Sequence, residues 1–291
     1  MINRIATVFI ITLFFTSSLF AQDESKSPEA GQAYNAGNSL AKSRKYEEAI
    51  EKYLEAIKAD NNFPRAHFNL AYCYEKTNQL AKAEASYKNA INLDNKFETA
   101  YIALGDLQLE IDKQADAINT FNAVLSFNPN SAKANYGLGK VYYSKKDYDN
   151  AIKYFQASIE NDPGYAHSYN YLGLSYSGVK QYSNAAAAFE KAVANTTNST
   201  FKGNYYYRLG EAYVNAKDYD KAESALQEAL KNTRKSNIIA ACNFYLGDVY
   251  KNKGQAQKAI QYYQKASQNR SWKQPAEYEI DLLKNPDKYS Y

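Results

Sequence analysis

Histidine and cysteine are both scarce in this chain of 291 residues, which contains two of each. Metal centres and nucleophilic triads need such side chains in clusters, and neither His67 nor His167 has a cysteine or an acidic residue at ligand spacing. Phosphate-binding loops are also missing, since no glycine is followed by Lys-Ser or Lys-Thr. The sequence therefore predicts a protein that is not an enzyme and that needs no cofactor or metal.

Strong charge of either sign is absent as well. The chain carries 35 basic and 31 acidic side chains, a net charge of +4, and the two signs are interleaved, as in Lys45–Glu48 and Lys145–Asp149. Such mixing is typical of solvated helix faces. The densest basic stretch, Lys231–Lys235, is not extended into the stripe that nucleic-acid binding requires. We therefore predict no nucleic-acid partner.

Long apolar runs are limited to one, from Ile5 to Phe20. This run follows Arg4 and ends before Ala21-Gln22, a small-residue cleavage point, which is the pattern of a secretory signal. We predict that residues 1–21 are a signal peptide and that the protein is exported to the periplasm or cell envelope. Leu19 is a poor residue three places before the cut, so an uncleaved anchor that tethers the protein through residues 5–20 is the alternative, although this run is short for a bilayer span.

Small residues recur through the rest of the chain, first every 34 residues and then at two steps of 37. An alanine follows twelve residues after each of them, and an aromatic residue or leucine four residues later. The small residues of this register are Gly37, Ala71, Gly105, Gly139, Gly173, Gly210 and Gly247. Small residues at fixed points let two helix backbones approach closely while large residues fill the remaining space. The period therefore predicts helical hairpins, which must stack on each other to bury their apolar faces.

These residues resemble the tetratricopeptide repeat family. The fifth repeat has the family's order in Tyr169, Leu172-Gly173, Tyr176, Ala185, Phe189 and Ala192. The resemblance implies an all-α, right-handed superhelical solenoid of about seven helix-turn-helix units with a C-terminal capping helix. The expected repeats are 30–63, 64–97, 98–131, 132–165, 166–202, 203–239 and 240–270.

The segments around the repeats carry their own predictions. Residues 22–29 are expected to be a flexible lead-in. The stretch Asn195–Thr200 is rich in capping residues and is expected to supply the three extra residues of its repeat and a flexible seam between two sub-modules. Residues 271–291 are expected to cap the last repeat, through a helix at Ala276–Leu283 whose Tyr278, Ile280, Leu282 and Leu283 cover its apolar face.

The resemblance also implies a concave groove, lined by a second stripe of side chains on the first helix of each repeat. The residues implied to face a ligand are Tyr34, Asn38, Arg65, Phe68, Asn69, Tyr72, Ile102, Asp106, Lys133, Tyr136, Lys140, Tyr143, Asn170, Tyr171, Tyr207 and Arg208. His167, Glu211, Phe244, Tyr245 and Asp248 hold further positions of this stripe. Tyrosine and arginine on a rigid face have the composition of binding hot spots. A protein or peptide segment is thus the expected partner, and the oligomeric state stays open.

One subclass of the family binds a C-terminal carboxylate with two asparagines and three basic residues. Asn38 and Asn69 match the asparagines, but Tyr34, Thr99 and Ala103 stand where the basic residues are expected. Without charge-assisted bonds such binding is weak, so this function is not predicted. The leading hypothesis is an exported interaction scaffold; the alternatives are a membrane-tethered assembly factor and a protein whose aromatic groove binds glycan.

Overall fold

The computed structural model describes residues 27–288, so the predicted signal peptide, with its cleavage point, lies outside the described residues. Within that range all regular structure is helical, with no strand, which confirms the all-α prediction. The helices are α1 (Pro28–Lys42), α2 (Tyr46–Ala59), α3 (Pro64–Lys76), α4 (Leu80–Leu93), α5 (Glu98–Glu110), α6 (Gln114–Phe127), α7 (Ala132–Ser144), α8 (Tyr148–Asn161), α9 (Ala166–Gly178), α10 (Tyr182–Ala194), α11 (Ser199–Asn215), α12 (Tyr219–Asn232), α13 (Ser236–Asn252), α14 (Ala256–Ala266) and α15 (Lys273–Lys284), followed by a 3₁₀ turn at Pro286–Lys288.

Consecutive helices from α1 to α14 pair into seven hairpins, the number that the repeat predicts. The chain divides into two compact modules after Asn95. The N-terminal module contains α1 to α4, and the C-terminal module contains α5 to α15. Among the residues that the structure covers, no helix has the length and apolarity to cross a membrane.

The link inside each hairpin is a short turn with a left-handed residue. Lys146 has φ +59° between α7 and α8, and its N–H donates to the Tyr143 carbonyl, while the N–H of Asp147 donates to the Tyr142 carbonyl. These bonds satisfy carbonyl groups at the end of α7 that the helix itself leaves unpaired. The Asp147 side chain then accepts from the N–H of Asn150 and caps α8.

The predicted contact between small and large residues holds the two helices of a hairpin together. Gly139 of α7 lies against the ring of Phe155 of α8, and Phe155 is fully buried. The same pair recurs as Gly105 with Phe121 and as Gly173 with Phe189. Burying each such ring contributes about 1.5–3 kcal/mol before ordering costs.

The three extra residues of the late repeats lie in helices, which differs from the sequence prediction. The helices α11 and α13 have 17 residues each, whereas α5, α7 and α9 have 13. Asn198 accepts from the N–H groups of Thr200 and Phe201 and thereby starts α11 about one turn earlier. The connection before α11 is therefore no longer than the others.

The chain does not divide into its two modules at Asn195–Thr200, where the sequence predicts a boundary. Phe189 of α10 shares one buried cluster with Leu209 and Tyr213 of α11, and both helices belong to the C-terminal module. At the other end, α1 begins at Pro28, inside the predicted lead-in 22–29, because Ser27 caps it and proline suits the first helical position.

The C-terminal cap is present as α15, which starts three residues earlier than predicted. Ala276 is fully buried, and Ile280 and Leu283 pack against the core of the last repeats. Tyr278 does not take part as predicted, since its side chain is 54% exposed. Trp272 contributes the aromatic contact instead, with its ring centroid 4.9 Å from that of Phe244.

Candidate binding face

The first helices of the repeats in the C-terminal module, α5, α7, α9, α11 and α13, carry most of the predicted ligand-facing residues. We call this set the first-helix face; its predicted members here are Ile102, Asp106, Lys133, Tyr136, Lys140, Tyr143, Asn170, Tyr171, Tyr207 and Arg208. Asp106 and Lys133 are exposed, and the others except Asn170 are half-buried. Asn170 is buried, with 7% of its surface exposed.

Tyrosines of α7 and α9 form a connected cluster on this face. The ring of Tyr136 meets the edges of Tyr165 and Tyr171 at centroid distances of 5.0 and 5.7 Å. Tyr171 also contacts Tyr143 at 5.5 Å and stacks on the buried Phe155 at 5.5 Å. These edge and stacked arrangements are the favourable geometries for aromatic pairs. The face is therefore aromatic and is held in place by the core.

The sequence did not single out Tyr165, which lies in the connection before α9, or Tyr205 of α11. Burial raises the pKa of Tyr165 and of Tyr205 to about 12 in each case. Burial, with the nearby Tyr171, Tyr165 and Asp106, also raises the pKa of Tyr136. All three phenols are therefore neutral hydrogen-bond donors at neutral pH.

The charge of Lys140 is compensated within the face. Its Nζ lies 2.7 Å from Oδ1 of Asp106, at the equivalent position of the preceding repeat, and 5.1 Å from the ring centroid of Tyr136. Its side chain is only 19% exposed. The pair thus fixes one edge of the tyrosine cluster and leaves little positive charge there.

Arg208 is different, because it has no acidic partner within residues 27–288. Its Nε is buried without a hydrogen-bond acceptor, and its positive charge opposes the rise in the pKa of Tyr143, Tyr205 and Tyr207. Oδ1 of Asn170 is likewise buried without a donor. Buried polar groups are almost always paired in folded proteins, so the face contains one unpaired donor and one unpaired acceptor.

His167 lies beside this cluster at the start of α9. Its Nδ1 is 2.8 Å from the hydroxyl of Tyr205, and its ring meets the edge of Phe201 at 4.9 Å. Burial, and secondarily the charge of Lys140, lowers the pKa of His167. The imidazole is therefore neutral near pH 7.

The chain itself occupies the face at the last repeat. Trp272 covers Phe244 and Tyr245, at centroid distances of 4.9 and 6.1 Å. The hydroxyl of Tyr245 donates to Glu211 at 2.5 Å, and that of Tyr263 donates to Asp248 at 2.6 Å. The expectation that Phe244, Tyr245, Glu211 and Asp248 face a ligand is not supported by this packing.

In the N-terminal module the predicted polar residues bond to one another. Nδ2 of Asn69 donates to the hydroxyl of Tyr34 at 3.1 Å and to Oδ1 of Asn38 at 2.8 Å. The hydroxyl of Tyr53 donates to the same Oδ1 at 2.8 Å. The two asparagines are therefore engaged in structure, which agrees with the absence of a carboxylate-binding function of the known subclass.

The remaining predicted residues of this module divide between packing and exposure. Phe68 packs against Tyr87 at 5.6 Å, and Arg65 is exposed. Tyr72 is 39% exposed, with Lys76 Nζ 4.9 Å from its ring centroid. Only this last pair combines an accessible aromatic ring with a cation.

Comparison with known protein families settles the family of the chain. Models of tetratricopeptide repeats match residues 37–78, 64–97, 102–166, 166–196 and 201–271. The chain is a tetratricopeptide repeat protein. No curated protein sequence matches it significantly.

Solved tetratricopeptide structures share the fold. MamA is 28% identical to this chain, and the match covers 57% of this chain and 91% of MamA, with a TM-score of 0.51. A tetratricopeptide repeat protein from Parabacteroides merdae is 16% identical, with coverage of 89% of this chain and 100% of that protein and a TM-score of 0.60. PilW, a type IV pilus biogenesis factor, is 15% identical, with coverage of 71% and 94% and a TM-score of 0.61.

The chemistry available at the first-helix face is that of binding. It combines aromatic rings, neutral phenol donors and one uncompensated guanidinium. Across residues 27–288, no group of three or more histidine, cysteine or acidic side chains is arranged to hold a metal ion. The two cysteines, Cys73 and Cys242, are buried and free, and burial raises the pKa of their thiols to about 11 and about 12.

Proposed function

We propose that this tetratricopeptide repeat protein is a non-enzymatic interaction scaffold of the bacterial cell envelope, and that its first-helix face in the C-terminal module binds a segment of a partner protein. The cluster of Tyr136, Tyr143 and Tyr171 beside the unpaired Arg208 is the observation that carries this proposal. Large aromatic side chains and arginine are enriched among the residues that contribute most of the binding energy of protein interfaces.

The export of the protein is part of the proposal and rests on the sequence of residues 1–21. The second candidate is a membrane-tethered assembly factor for an envelope complex, which the apolar run at residues 5–20 would anchor if it stays uncleaved. Mass spectrometry of the protein purified from its own cells separates the two. A mature chain beginning at Gln22 supports the exported scaffold and contradicts the tether.

Binding at the face can be tested by placing a photoreactive amino acid at Lys133, an exposed position of α7 on the first-helix face. The matched control carries it at Lys153, an exposed lysine on the second helix of the same hairpin. We expect a discrete protein adduct in intact cells from position 133 and none from position 153. An adduct from position 153 alone, or from neither, contradicts binding at this face.

The third hypothesis, a glycan ligand, makes a different prediction for the same cells. Aromatic rings can also stack on sugars. If the face binds glycan, the wild-type protein is retained on a peptidoglycan column and the Tyr136→Ala variant is not. A protein adduct at position 133 together with no retention on the column supports the scaffold over the glycan-binding protein.

A further inference from the structure

Two buried atoms on the first-helix face lack hydrogen-bond partners, and one is a donor while the other is an acceptor. Nε of Arg208 on α11 is a donor, and Oδ1 of Asn170 on α9 is an acceptor. The side chain of Asn170 is more than nine-tenths buried. A buried polar atom without a partner costs about 1–3 kcal/mol. Arg208 as a whole is only half-buried, and its two Nη atoms are not among the buried unpaired atoms, so a ligand can reach the guanidinium through them.

The charges around Arg208 define what that ligand carries. Of the other cations on the face, Lys140 is paired with Asp106, whereas Lys133 is exposed to solvent. The acidic residues nearest in register, Glu211 and Asp248, already accept from Tyr245 and Tyr263. Arg208 therefore has phenols around it and forms no ion pair within residues 27–288, so charge complementarity favours an anion.

A planar guanidinium recognises carboxylates with two parallel hydrogen bonds. We infer that the first-helix face binds an extended peptide segment through one internal Asp or Glu side chain, whose carboxylate accepts from the guanidinium of Arg208. This inference rests on the proposed function and specifies the chemistry of the partner segment.

An internal acidic residue fits better than a chain terminus because aromatic residues flank Arg208 in both directions. Tyr136, Tyr143 and Tyr171 lie on the preceding first helices. Half-buried Tyr207 lies beside Arg208 towards α13, where its ring centroid is 6.2 Å from that of Tyr245, which Trp272 covers. A segment that ended at Arg208 would leave one of these aromatic surfaces unused. The neighbouring phenols can also donate to the peptide carbonyl groups, since they are protonated.

The inference can be tested by selecting binders from a phage library of random dodecapeptides fused through their C-termini, so that no free terminal carboxylate is present. The variant is Arg208→Gln, and the control is Arg234→Gln, which removes the same charge from an exposed arginine at the start of α13. We expect wild type and Arg234→Gln to enrich peptides with one Asp or Glu at a fixed position, and Arg208→Gln to lose that enrichment.

The selected peptide, made synthetically, gives the quantitative test by fluorescence anisotropy. Replacing its acidic residue with Gln or Asn is expected to weaken its binding to the wild-type protein at least about tenfold. The same replacement should change its affinity for the Arg208→Gln variant little. Tenfold weaker binding at high salt is expected for the acidic peptide only. Thermal unfolding of Arg208→Gln is expected to show no loss of stability, because this side chain has no hydrogen-bond or ion-pair partner to lose in the part of the chain that the structure describes.

The outcomes separate this inference from the proposed function. Enrichment of peptides without an acidic residue, whose binding is lost in Tyr136→Ala but not in Arg208→Gln, overturns the acidic anchor and keeps the binding face. Enrichment of no sequence, or acidic enrichment that survives Arg208→Gln, also overturns the inference. Binding that requires a free terminal carboxylate, tested with free and amidated forms of the peptides, assigns the anion to the chain terminus and overturns the internal side chain.

Discussion

A Cβ atom placed on Gly139 would lie 2.5 Å from Cε1 of Phe155 in the opposite helix of the same hairpin. That distance is shorter than any ordinary carbon contact, so even one methyl group forces the buried ring or the helix to move. The same relationship recurs along the chain, for example between Gly173 and Phe189. The spacing of the hairpin helices is therefore set by the missing side chain.

We expect Gly139→Ala to lower the free energy of unfolding by about 1–3 kcal/mol, despite the better helix propensity of alanine. The matched control is Gly31→Ala in α1, where a Cβ would meet no atom within 4 Å. There the same change should stabilise by about 0.5–1 kcal/mol. Urea unfolding followed by circular dichroism measures both, and equal stabilisation in the two variants would show that the close contact has no energetic role.

The left-handed turns give a second prediction. Lys146 has φ +59° and is exposed, so Lys146→Gly relieves an unfavourable backbone conformation and should stabilise by up to about 1 kcal/mol. Gly254 has φ +74° with open space around its Cα, and Gly254→Ala should destabilise by about 1 kcal/mol through backbone strain alone.

The neighbouring Lys145 is the control for the first of these changes. It is exposed in the same turn but has a right-handed conformation, with φ −78°. Lys145→Gly should therefore destabilise, by about the helix penalty of glycine. If Lys145→Gly and Lys146→Gly shift the urea midpoint in the same direction, the argument from φ is wrong.

The hairpins could be predicted because the small-to-large register is local, with partners such as Gly139 and Phe155 only sixteen positions apart. The extra turn of α11 could not be placed, because Asn195–Thr200 has the composition of a turn while Asn198 in fact caps a helix. An asparagine side chain that accepts from nearby backbone N–H groups can stabilise a turn or cap a helix. The buried cluster that Phe189 shares with Leu209 places the segment inside one compact module, which the sequence alone does not reveal.

The register also predicted the first-helix face but not which of its members are free. Asn69 and Asn38 bond to each other across 31 residues of sequence, whereas Asn170 leaves its Oδ1 without a partner. Tyr165 reaches the face from a connection that the helix register does not describe. Such pairings depend on how neighbouring repeats pack, and one sequence without its fold does not contain them.

Acid should weaken the fold through its two histidines. Burial lowers the pKa of both His67 and His167 below the ordinary 6.5. Between 6.5 and the lower native value the unfolded chain binds more protons than the native state, so the free energy of unfolding falls as pH falls through that window. Asp248 acts with the opposite sign, because burial raises its pKa.

The contribution of His167 is isolated by comparing wild type with His167→Gln at each pH from 7.5 to 5. The groups that face this imidazole are Tyr205, Tyr165, Phe201 and Lys140. The wild type should lose more stability than the variant as pH falls, and Lys140→Gln should raise the pKa of His167 in an NMR titration. A wild type and variant with parallel pH profiles would contradict the assignment.

The C-terminal cap gives the last prediction, which concerns local stability. Trp272 packs on Phe244 and Tyr245, and Lys251 of α13 is paired with Glu279 of α15 at 2.6 Å. A terminal repeat has a neighbour on only one side, so its stability depends on what covers the other side. Trp272→Ala should therefore raise amide hydrogen exchange in α14 and α15 about tenfold or more, while exchange in α7 changes little.

Tyr278 is the matched control for this change, because it is an aromatic residue of the same cap helix but is 54% exposed. Tyr278→Ala should leave the exchange rates of α14 within about twofold of wild type, since little apolar area is uncovered. Similar effects of the two substitutions would mean that α15 is held by its backbone position and by Ala276. A uniform rise through α7 in Trp272→Ala would mean that the C-terminal module unfolds as one unit, so that the cap protects the whole face on which the partner segment is proposed to bind.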